Sequence, residues 1–190
     1  MKKVMMTLLL VAAFGVNGFA QKGMNGIGIN VPAGVYDGFK FLGIGVKYQY
    51  NISDYFRIEP SIEYFPLHSK KGAIAPARYA SYDNVNLKAF LNGHIFLMSP
   101  HPARPYILAG AGFAKWKYIN RYYKGVPDYS KCFAYNVGVG YDIRLSQNFA
   151  MQIEATAFSS VGDDTGSLLK DFDHSNKFLF MGRIGCTYTF

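Results

Sequence analysis

Cys186-Thr187-Tyr188-Thr189-Phe190 closes the chain by alternating aromatic with small polar residues up to a terminal phenylalanine. Strict period-2 alternation is the signature of a strand with one apolar face. The same pattern recurs upstream. Leu42, Ile44, Val46, Tyr48 and Tyr50 alternate with Gly43, Gly45, Lys47 and Gln49, and Phe56, Ile58, Pro60, Ile62 and Tyr64 alternate with Arg57, Glu59, Ser61 and Glu63. Clusters of Gly, Pro, Asn, Asp and Ser separate such runs.

Eight strands are expected: 24–31, 42–50, 56–64, 85–96, 106–118, 133–143, 149–158 and 177–190. In the fourth, Val85, Leu87, Ala89, Leu91 and Ile95 share the apolar face. In the sixth, Phe133, Tyr135, Val137, Val139, Tyr141 and Ile143 oppose Asn136, Gly138, Gly140 and Asp142. The fifth is rich in glycine and alanine, which obscures its facing. The connections 51–55 and 144–148 are short, and 97–104 is intermediate and stiffened by Pro100 and Pro102. The connections 32–41, 65–84, 119–132 and 159–176 are longer. An even number of strands with short turns at one end and long loops at the other is the pattern of transmembrane barrels of the outer membrane. The long loops then face outside and the short turns the periplasm.

Residues 1–20 read as a signal peptide. Lys2 and Lys3 supply the charge, residues 4–16 the apolar run, and Gly18-Phe19-Ala20 the small residues of a cleavage site. The apolar run falls short of the about 20 residues a membrane helix needs. The domain organisation expected is a leader at 1–20 and one barrel domain at 21–190. Of the 190 residues, half are apolar, and Tyr (15) and Phe (16) are both abundant, aromatics that a soluble domain would hide in a core. A barrel displays them to lipid.

Alternation alone does not say which face meets lipid, because a soluble barrel with an apolar lumen alternates in the same way. Here the polar face is rich in glycine with isolated charges, which suits the narrow interior of eight strands. The apolar face carries aromatics near both strand ends. Tyr48, Tyr50, Phe56, Tyr141, Phe149 and Tyr188 lie towards the short turns, and Tyr64, Trp116, Phe133, Tyr135 and Phe178 towards the long loops. Two aromatic belts match two membrane–water interfaces. The fold class is therefore all-β, an eight-stranded antiparallel transmembrane β-barrel. Cys132 faces inward near one rim and Cys186 outward near the other, so they do not form a disulfide.

With Tyr188 and Phe190 in place, the chain resembles the small outer-membrane β-barrel proteins of the OmpA/OmpX type, often labelled porin-family. The resemblance covers the whole of 21–190. It implies that Tyr188 and Phe190 are an assembly signal read by the barrel-assembly machinery. It also implies an integral protein of the bacterial outer membrane, whose partners are outer-membrane lipids, including lipopolysaccharide.

The inward charges are Lys47, Arg57, Glu59, Glu63, Lys88, Glu154 and Arg183. In a narrow lumen they must pair or bind water, since an isolated buried charge is very costly. Lys47 and Glu59 lie symmetrically about Ser53 and are expected opposite each other. Glu154 and Arg183 lie at similar depth on successive strands. This interior polar network supports a structural or surface-interaction role. The alternative is a narrow channel for ions or small solutes.

Catalysis finds no support: His68-Ser69 and His174-Ser175 are neighbours in sequence only, and His94 belongs to the inward face. The histidine and cysteine spacings suggest no metal site, and the acidic residues 163, 164, 171 and 173 lack calcium-loop spacing. Gly110-Ala111-Gly112 opens no helix, so no nucleotide cofactor is implied. Lys70, Lys71, Arg78, Lys115, Lys117, Arg121 and Lys124 are candidate surface anion contacts, interleaved with aromatics. They suit lipid headgroups or an unknown cell-surface ligand. Nucleic acid is excluded as a partner by the compartment.

Overall fold

In the computed structural model the described residues are 23–36, 39–70, 82–98, 101–119, 128–161 and 178–190. They form eight antiparallel strands: β1 Asn25–Tyr36, β2 Phe39–Asn51, β3 Phe56–Lys70, β4 Tyr82–Phe96, β5 Ala103–Ile119, β6 Asp128–Arg144, β7 Phe149–Val161 and β8 Leu179–Thr189. Each pairs with its sequence neighbours, and β8 returns to β1 to close the barrel. Closure leaves no open edge within the band that meets lipid, where an unpaired backbone group has no water to bond. The closing seam runs from Gly26↔Thr189 to Val35↔Phe180. Phe190 adds reciprocal backbone bonds to Asn25, with Phe190 N donating at 2.8 Å and Asn25 N at 3.2 Å.

Alternation controls burial. β8 alternates buried and exposed along its whole length. Ile27, Ile29, Ile44, Val46, Ile62, Leu91, Ile107, Val137, Val139, Ile153 and Ile184 face outward. Exposed aromatics flank this band. Tyr48, Tyr50, Phe56, Tyr141, Phe149 and Tyr188 lie at the short-turn end, and Tyr64, Phe133 and Phe178 at the other. Tyr135 is half-buried, with its ring 6.4 Å from Phe178. The side chain of Trp116 lies outside the described residues.

The structure departs from the sequence expectation in four places. The strands run further at the long-loop end, where strict period-2 alternation is lost and Pro, Gly and charged residues read as loop. There β1 and β2 stay paired as far as Tyr36↔Phe39, so the first connection is residues 37–38 and not 32–41. Arg104 belongs to β5, not to the preceding turn. Val85 points inward instead of sharing the outward face of Leu87, because the β4–β5 register shifts between them. An extra residue on one strand of a pair flips every side chain beyond it. Finally, β2 and β3 pair Lys47 with Ser61 and Asn51 with Arg57. The hairpin is therefore centred on Asp54, one residue later than expected, and Glu59 does not lie directly opposite Lys47.

The lumen is filled. Towards the long connections it holds an apolar cap of Phe41, Phe65, Val85, Phe90, Phe158, Leu179 and Met181, with Ala114, Cys132 and Ala134. Edge-to-face pairs set the rings, Phe41–Phe65 at 5.5 Å and Phe90–Phe158 at 5.8 Å. This cap is a tertiary result. Single inward phenylalanines on four strands look unremarkable in sequence and meet only when the sheet curls shut. The two cysteines are free, Cys132 buried in the cap and Cys186 exposed on the lipid side.

Candidate functional site: the polar interior

Below the cap the inward face is polar, and charges of both signs are packed into it. At the short-turn end Asp142 on β6 receives two guanidinium groups. Arg57 Nη2 and Arg104 Nη2 each approach its Oδ2 at 3.1 Å. The same two arginines stack over Phe96, with Cζ at 4.8 Å for Arg57 and 3.8 Å for Arg104 from the ring centroid. Cation–π attraction and charge pairing act together here. Arg104 also donates to the carbonyl of Asp54 in the turn at 3.1 Å, which ties this floor to the barrel's end.

In the middle layer Glu59 is fully buried. Gln49, its cross-strand neighbour, donates to it at 2.7 Å, and Lys47 reaches it diagonally at 3.6 Å. Lys47 also donates to Gln152, which in turn donates to Asp142 at 3.0 Å. The middle layer and the floor are thus one network. Tyr106 donates to Glu154 at 2.6 Å and stacks on His94 with centroids 4.8 Å apart. Gly140 makes room for Tyr106, since a side chain there would strike its ring.

The third layer centres on Glu63. It accepts from Lys88 at 2.9 Å, from Arg183 at 3.0 Å and from Asn30 at 3.1 Å. Arg183 also pairs with Glu154, its register partner on β7. The Lys88 ammonium sits below three phenylalanine faces of the cap, 5.1 Å from Phe158, 5.3 Å from Phe90 and 5.7 Å from Phe65. It therefore joins the polar layers to the apolar one. Gly45 faces this layer, and a side chain at that position would collide with Asn30 and Glu63.

All seven charges expected inside face the lumen and are buried: Lys47, Arg57, Glu59, Glu63, Lys88, Glu154 and Arg183. The sequence reading of the network left out Asp142 and Arg104. Asp142 stood on the polar face of its strand and could have been included by period alone. Arg104 was hidden at the end of the 97–104 connection, which Pro100 and Pro102 made read as a turn. Of the candidate surface cations, Lys115 is half-buried, opposite Lys131 in the ladder. Lys71, Arg78, Arg121 and Lys124 lie outside the described residues, as do the side chains of Lys70 and Lys117. His174 and Ser175 lie outside them too.

Buried ions of opposite sign are stabilising only when none is left unpaired. Glu59→Ala removes an acceptor from Lys47 and Gln49 while leaving Lys47 bonded to Gln152. It is expected to destabilise the barrel by about 1–3 kcal/mol in a urea refolding titration. An unchanged midpoint would refute the pairing.

The closed strands thus carry apolar residues outward and a charged network inward. The model of the outer membrane protein beta-barrel domain matches residues 6–186. The chain belongs to that family. No curated protein sequence matches it. Among solved structures, the N-terminal β-barrel domain of OprF from Pseudomonas aeruginosa shares 16% identity at a TM-score of 0.59, covering 90% of this chain and 100% of that one. Neisserial surface protein A shares 11% at 0.55, covering 87% and 94%. Ail, the attachment invasion locus protein of Yersinia pestis, shares 18% at 0.50, covering 89% and 99%. At such identities the likeness concerns the fold alone. Family membership places this outer-membrane β-barrel protein in the bacterial outer membrane, and its strands supply the membrane crossing.

Proposed function

We propose that this family member is a closed, non-catalytic barrel with a structural or surface-interaction role in the outer membrane. The observation that carries this reading is the filled lumen. An apolar cap lies over three layers of mutually paired charges, which is how a plug is built. Eight strands leave an interior just wide enough for side chains, and here both ionic and aromatic side chains occupy it. The cell surface is the natural place for activity, because the variable part of such a barrel is its long connections. The candidate partners are lipopolysaccharide and other outer-membrane lipids, met by the belts and the basic loop residues, and an unknown cell-surface ligand. The leader at 1–20 is removed on export.

The polar layers also favour a second reading, a narrow ion path, because charged groups line the lumen from Arg104 up to Lys88. The apolar cap argues against it: a dry aromatic layer has no groups to replace an ion's hydration shell. Planar-bilayer recording on the refolded protein separates the two. No stepwise current is expected. Discrete and reproducible conductance steps would overturn the closed plug in favour of transport.

A further inference from the structure

We propose a divalent transition-metal site inside the barrel, built by Glu59 on β3, His94 on β4 and Glu154 on β7. The narrow closure brings these strands' side chains together across the lumen. One ligand atom of each residue lies within 4.8 Å of the other two. The His94 Nε2 to Glu59 Oε1 distance is 3.7 Å. Donors around tetrahedral zinc lie roughly 3.3 Å apart, given bonds of about 2.0–2.2 Å, so small side-chain rotations close the site.

The second observation is independent of that clustering. His94 is completely buried, and among the described residues neither of its ring nitrogens makes a hydrogen bond. Oε1 of Glu59, equally buried, makes none either. The neighbouring amides Gln49, Asn51 and Gln152 are all bonded, and although single atoms of other lumen residues such as Asn30 and Asn136 also lack a hydrogen bond, His94 lacks one at both ring nitrogens. Buried polar groups without partners are costly. A cation facing one imidazole and two carboxylates removes that cost. Mixed nitrogen and oxygen donors suit zinc and its first-row neighbours.

The surroundings support the ligands. Tyr106 stacks on the imidazole and bonds Glu154, fixing the orientation of two ligands at once, as outer-shell groups do in metal sites. Two internal cations compete for the carboxylates, Lys47 at Glu59 and Arg183 at Glu154. Each keeps another acceptor when a metal takes its carboxylate, Gln152 for Lys47 and Glu63 for Arg183. Arg57 lies close by but is held by Asp142. The metal's affinity is therefore set against Lys47 and rises when that charge is removed.

The test is to refold the full protein in detergent with zinc present, because cap and floor close the lumen once it has folded. Bound zinc is then counted after desalting, and cobalt(II) is used in parallel for its visible absorption. The wild type is expected to retain zinc, Lys47→Met to hold it several-fold more tightly, and His94→Gln to lose it. Zinc held by His94→Gln as by the wild type would assign it to surface histidines and overturn the site. No retention by either the wild type or Lys47→Met would overturn it as well. Should His94→Gln not refold, Glu59→Gln takes its place, and undiminished zinc there is equally fatal. Zinc retention and bilayer conductance are separate readouts, so this site and the closed-plug reading stand or fall apart from each other.

Discussion

Asp142→Ala is expected to destabilise the barrel more than any other single change in the lumen, by about 3–5 kcal/mol. The residue is fully enclosed and accepts both Arg57 and Arg104 at 3.1 Å, and Gln152 at 3.0 Å. Removing it takes the shared carboxylate from two guanidinium groups that sit over the same Phe96 ring, leaving like charges close together. Asp142→Asn keeps the shape and one acceptor but not the charge, and should fall between the wild type and Asp142→Ala. A urea titration of refolded protein measures both. A loss below about 1 kcal/mol, the scale of one ordinary hydrogen bond, would show that the floor is held by packing alone.

The second large effect concerns assembly in cells. Phe190 is exposed at the short-turn rim, stacked at 6.5 Å on Tyr188, whose ring meets Phe149 at 5.6 Å. Its backbone contributes one reciprocal pair of bonds to Asn25, beyond the β8–β1 ladder that already closes the barrel from Gly26↔Thr189. Deleting Phe190 therefore costs a refolded barrel only about 1 kcal/mol. We propose that Tyr188 and Phe190 act as the signal read before insertion, so in cells the same deletion is expected to lower the inserted amount several-fold. Quantifying heat-modifiable protein in outer-membrane fractions, beside a refolding titration in detergent, separates the two effects. Normal insertion of the truncated chain would remove the assembly role. An equal fall in both measurements would make Phe190 an ordinary packing residue.

Period 2 is a local property, and what depends on it was legible in the amino-acid sequence. The alternation of Leu42 to Tyr50 and of Phe56 to Tyr64 told strand from helix. The glycines opposite the aliphatic residues told lumen from lipid, and hence placed Lys47, Glu59 and Arg183 inside. The last five residues pointed to the family before any coordinates did. Register, by contrast, is decided between strands. A one-residue change in the centre of the β2–β3 hairpin moved Gln49, not Lys47, opposite Glu59, and the bulge near Val85 turned that side chain inward. Contacts across the lumen depend on how far each strand is staggered before the sheet closes, which no single strand encodes. That stagger alone brought Arg57 and Arg104 to Asp142, gathered phenylalanines from four strands into a cap, and set His94 between two glutamates from different walls of the barrel.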